Sequence, residues 1–119
     1  MSINFTSAPH FTTPEQERPT RILSFKSLIE TLSALTEAPA FTDLAEWLSR
    51  VQATREDLRL FRFFKAGTYA RHRVFRSDFA ELLVLCWRPG QRTPIHDHNG
   101  SYGAVRVCEG VMWETVFAL

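Results

Sequence analysis

The hydrophobic period of this chain changes at Gly67, and that change restricts the folds open to it. Upstream, Phe25, Leu28, Ile29, Leu32 and Leu35 recur at spacings of three and four, which predicts an amphipathic helix from Ile22 to about Glu37. Pro39 ends it by pushing its predecessor out of helical geometry. Thr42 has the character of an N-cap, with Asp43 at the positive end of the helix dipole. Leu44, Trp47, Leu48 and Val51 then give a second apolar face, predicting a helix over about 43–52. Thr54 and Asp57 are spaced as a capping box and predict a short third helix. The Leu, Phe and Trp of these faces are read as core, because helical amphipathicity alone accounts for their placement.

Beyond Gly67 the sequence "TYARHRVF" alternates in the strand sense, placing Tyr69, Arg71, Arg73 and Phe75 on one face. "FAELLVLCW" predicts a more buried strand, closed by a type II turn with Pro89 and Gly90 at its centre. Further strands are expected in "TPIHDH", "YGAVRVC" and "VMWETVF", separated by Asn99-Gly100 and Glu109-Gly110. The expected fold class is mainly β with N-terminal helices, its strands running as an antiparallel meander. Three segments follow: an extended or disordered lead-in over 1–20, a helical segment over 21–66, and a β segment over 67–119 that shares one domain with the helices.

Composition excludes several classes of function. A chain of 119 residues, 45% hydrophobic and 23% charged, suits one soluble domain. A formal net charge of +1 gives no electrostatic reason to expect a nucleic-acid partner, and the patch Arg71, His72, Arg73 and Arg76 is read as local chemistry or a solvated strand edge. The apolar run "LLVLCW" is too short to cross a bilayer, and no signal-peptide pattern opens the chain, so no membrane partner and a cytoplasmic location are expected. Cys86 and Cys108 lack a metal-knuckle spacing and are expected as buried free thiols.

The chemistry concentrates in "PGQRTPIHDHNGSYGAVRVCEG". Alternation along a strand would point His96 and His98 the same way and Asp97 the other, so the two imidazoles could chelate one ion. Imidazole suits iron, zinc, copper and nickel alike, and a histidine pair can also be plain strand polarity. Gly90, His96, His98, position 103 and Gly110 fall at the spacing of the first cupin motif, but Gly103 stands where its glutamate ligand would be.

That framework, with "YARHRV" upstream, resembles the cysteine dioxygenases, thiol dioxygenases of the cupin superfamily whose iron is held by three histidines and no carboxylate. The resemblance runs from about Tyr69 to Phe117. It implies the first part of a cupin (jelly-roll) β-barrel, incomplete at the C-terminus. By the same resemblance His96 and His98 would be two Fe(II) ligands, with the third histidine expected beyond Leu119. Arg71 would pair with the substrate carboxylate, as a planar guanidinium can through both oxygens, and Tyr69 would line that end of the pocket. No residue is assigned as catalytic. His72 should face away from Tyr69 and Arg71, and His10 is read as a bystander.

The implied activity is Fe(II)- and O2-dependent oxidation of the L-cysteine thiol to cysteine sulfinate, impaired in these 119 residues alone. Three neutral imidazoles leave the metal more positive than a set with a carboxylate would, which favours an anionic thiolate. Relatives that prefer 3-mercaptopropionate tend to carry Gln at the Arg71 position, so Arg favours cysteine; that acid and cysteamine remain the alternative substrates. Animal members carry at position 103 a cysteine cross-linked to a tyrosine, which Gly103 precludes. A different class of reading is a non-catalytic half-barrel interaction module, self-associating through open strand edges.

Overall fold

The computed structural model describes residues 2–4, 21–94, 96 and 100–116. Helix α1, Phe25–Ser33, starts where the Ser24 hydroxyl accepts from the Ser27 amide at 3.0 Å, and it buries Phe25, Leu28 and Leu32 on one face. It is shorter than its apolar pattern predicts. Leu23–Ser24 are instead strand β2, paired in parallel with β3, Val51–Gln52. Helix α2, Phe41–Arg50, buries Leu44 and Leu48, and its N-cap is Ala40, with no side-chain cap. Thr42 therefore lies inside the helix, a correction with a simple cause: the phenylalanine before it is already helical. Helix α3, Arg55–Leu58, has both bonds of the Thr54–Asp57 capping box.

Three strands join a short N-terminal one in the principal sheet. Strand β4, Ala70–Arg76, pairs antiparallel with β5, Glu81–Cys86, in the register Ala70↔Cys86 and Arg71↔Leu85. Strand β1, Ser2–Asn4, pairs with β5 on one side and with β6, Val105–Val107, on the other, giving the order β4-β5-β1-β6. The expected meander is thus interrupted: part of the segment read as a lead-in separates β5 from β6. Strands were also expected over "TPIHDH" and "VMWETVF". Their described residues, Thr93, Pro94, His96 and Val111–Val116, adopt no strand, and the remainder lies outside the described residues. Helix and strand claim similar shares of the described chain, so the fold is mixed rather than mainly β.

Ala70, Leu82, Val84 and Cys86 pack against Phe25, Leu28, Leu32, Leu44, Leu48, Val51 and Leu58 in one core. Helices and sheet therefore share an interior. Alternation sends Leu83 and Leu85 to the opposite face, where both are also buried. A β-bulge between Arg73 and Phe75 resets β4: Phe75 pairs with Leu82 and packs on the helical side. Phe75 does not share a face with Arg71, because the extra residue reverses the alternation.

Candidate functional site

Strand β4 positions the first two site residues. Arg71 is exposed and sits opposite Leu85, on the sheet face away from the helices. Among the described residues it has no hydrogen-bond or ion-pair partner, whereas Arg73 pairs with Glu81 at 3.5 Å. Tyr69, two residues earlier, shares that side, and its ring stacks on Trp87 with centroids 4.2 Å apart and planes 11° from parallel. Arg71 and the Tyr69–Trp87 pair thus lie side by side at one end of the hairpin. Trp87 is not among the residues the sequence reading picks out: the β-bulge shifts the β4–β5 register by one, so counting from the hairpin turn would set Arg88, not Trp87, opposite Tyr69.

His72 points the other way. Its Nε2 is 3.3 Å from the Phe63 carbonyl, and its ring meets that of Phe63 edge-on at 5.9 Å. That places it among the connections to the helices.

The chain leaves β5 through a turn in which the Gln91 amide donates to the Arg88 carbonyl at 3.1 Å and Gly90 has φ +82°. This is the arrangement Pro89-Gly90 predicts, and it needs glycine at the second central position. The Gln91 side chain fastens the turn twice: its oxygen accepts from the Arg88 amide at 2.8 Å, and its nitrogen donates to the Lys65 carbonyl at 2.8 Å. The turn is therefore tied to the segment leading into β4.

His96 follows on the loop, exposed, with Nδ1 2.7 Å from the Pro94 carbonyl. A carbonyl only accepts, so Nδ1 carries the proton and the lone pair of the neutral ring is on Nε2. That is the tautomer a metal-binding histidine uses when its other nitrogen is held by the backbone. His98 lies outside the described residues. Among those described, no group of three His, Cys, Asp or Glu could hold a metal. Gly103 is buried.

A second polar cluster was invisible in the sequence. Glu109, just after β6, accepts from Arg62 Nε and Nη2, each at 3.1 Å, and from Arg55 Nη2 at 3.0 Å. The two guanidiniums hold its carboxyl down at about 2. Arg62 also lies over the Phe64 ring, 5.2 Å from its centroid. Both thiols are free, but of the two expected to be buried only Cys86 is; Cys108, just beyond the short β6, is half-buried, and that burial pushes its thiol up.

The model of one dioxygenase family, cysteine dioxygenase type I, matches residues 19–119. The chain belongs to that cysteine dioxygenase type I family. Cysteine dioxygenase type 1 of Danio rerio is 26% identical to it over 97 residues, 79% of this chain and 48% of the relative. The Homo sapiens protein of that name is 29% identical over 91 residues, 76% of this chain and 40% of the relative. The Bos taurus protein is 34% identical over 56 residues, 46% of this chain and 28% of the relative. The chain spans under half the length of these curated relatives. No solved structure matches significantly.

Proposed function

We propose that this chain is the part of an Fe(II)-dependent cysteine dioxygenase that receives the substrate carboxylate and supplies two of the metal's histidines. The observation that carries the reading is Arg71: an exposed guanidinium, backed by Leu85 and flanked by the Tyr69–Trp87 stack, without a carboxylate partner among the described residues. It can take both carboxylate oxygens of L-cysteine in parallel hydrogen bonds. The aromatic pair beside it gives that end of the pocket a rigid wall. Pro94 sets the His96 ring so that Nε2 is the ligand atom. Fe(II), when bound, supplies the redox chemistry that joins dioxygen to the substrate sulfur. The sheet is read as the first part of a cupin barrel, a view that rests on family membership. Two free thiols agree with a reducing, cytoplasmic setting.

Replacing Arg71 with Gln should lower use of L-cysteine at least tenfold while barely altering use of cysteamine, which has no carboxylate to pair. Equal losses on the two thiols would reject the carboxylate role. Anaerobic calorimetric titration with Fe(II) tests the metal, with binding expected to weaken in His96→Ala. A second reading is favoured by a separate observation: β6 is an edge of the sheet, and beyond it Val111, Trp113 and Val116 are strongly exposed. Self-association through that edge would support an interaction module, and a stable monomer in light scattering would count against it.

A further inference from the structure

We propose that the groove between Tyr102 and the connection from α1 to α2 binds a small organic ammonium ion. None of its residues belongs to the candidate dioxygenase site, so it stands independently of the metal and carboxylate reading. The groove has a volume of about 560 Å³, and its lining includes Leu35, Glu37, Pro39, Asp43, Trp47 and Tyr102. That volume is in the range of small-molecule sites.

Charge selects the ligand. Glu37 and Asp43 are exposed, and neither carboxylate has a hydrogen-bond or ion-pair partner among the described residues. Elsewhere Glu46, Glu81 and Glu109 each face an arginine. Among the described residues, no lysine or arginine lines the groove. The positive end of α2 lies at Asp43 and opposes a cation, but a dipole worth about half a charge is outweighed by two whole carboxylates.

Apolar surface decides what kind of cation fits. Leu35 and Trp47 pack against the hydrophobic core, and Pro39 is buried, so one wall is fixed by the interior. Across from it the Tyr102 hydroxyl donates to the Pro39 carbonyl, which leaves the ring as the part of Tyr102 that a ligand can meet. A bare metal ion would find two carboxylates and apolar groups where its further oxygen ligands belong. An alkylammonium ion instead covers the apolar surface with its carbon chain and keeps its charge beside Glu37 and Asp43. It also gains from the two rings, the indole being the strongest cation host among side chains.

The test is an NMR titration of the isotopically labelled full chain with n-butylammonium chloride, read at the Trp47 indole and the Asp43 amide. Butanol serves as the neutral molecule of the same chain length. Saturable binding with a Kd on the order of millimolar is expected, about fivefold tighter than the alcohol and weakened by added salt. Glu37→Gln combined with Asp43→Asn, both at exposed positions, should leave the fold intact and weaken binding about tenfold. Trp47→Leu, which keeps an apolar side chain, should weaken it about threefold. Shifts that never saturate, equal binding of the alcohol, or unchanged affinity in the double carboxylate variant would overturn the proposal. A lysine-containing peptide completes the series: if it binds much more tightly than n-butylammonium, the partner is a basic protein segment and the small amine is rejected.

Discussion

Tyr69 and Trp87 face each other as stacked rings across the open end of the β4–β5 hairpin, continuing the register set by Ala70 and Cys86. The stack lies beside Arg71, so one cross-strand contact joins the stability of the hairpin to the shape of the candidate pocket. A double-mutant cycle with Tyr69→Ala and Trp87→Ala should give a coupling of about 0.5–1.5 kcal/mol in urea unfolding. Additive losses would mean that the rings are neighbours without interacting.

Glu109 makes stability depend on pH at the acid end. Its carboxyl is held at about 2 when folded, against an ordinary value of 4.5, so the unfolded chain takes up the proton first as pH falls. The contribution is complete above about pH 4.5 and disappears as pH drops through about 2. Glu109→Gln should therefore be less stable than the wild type at neutral pH, with the gap closing between those limits. Unfolding midpoints in urea at several pH values check this; a gap that widens on acidification has the wrong sign.

The core should be sensitive at the sheet and indifferent at the surface. Leu82, 0% exposed at the junction of β5 and the helices, should cost about 2–5 kcal/mol on truncation to Ala. Leu60, 81% exposed, should change stability by no more than about 0.5 kcal/mol. Chemical denaturation of the two variants separates these outcomes.

Two threonines with similar sequence credentials should behave differently. Thr54 closes a capping box, and Thr54→Ala should lose about 1 kcal/mol. Thr42 sits within the first turn of α2, where alanine is the better helix former, so Thr42→Ala should be neutral or slightly stabilising. Matching losses in thermal melts would restore Thr42 as a cap.

Local signals explain why some features were legible. Thr54 and Asp57 needed only each other, and Gly90 needed only its own left-handed φ. The β4 and β5 strands followed from alternation and continuous apolar character. What escaped depends on distant partners. Leu23 and Ser24 fit a helical pattern until Val51 and Gln52 offer them a strand. Phe75 obeys alternation until the bulge turns it. Glu109 looked like turn punctuation, since nothing near it in the sequence shows that Arg55 and Arg62 will meet it. For the candidate site, alternation placed Tyr69 beside Arg71, but the hold of Pro94 on the His96 ring requires the folded loop.

The central place of β1 bears on the order of events in folding. Ser2 lies opposite both Leu85 and Val107, so β1 finds its partners only after segments far along the chain have been made. The hairpin of β4 and β5 can form from neighbours alone, but β6 joins only after a closure spanning most of the chain, a slow step governed by chain entropy. Until then the β5 edge is bare. A chaperone that shields that edge during synthesis should raise the yield of native protein more than any added stability in the helices.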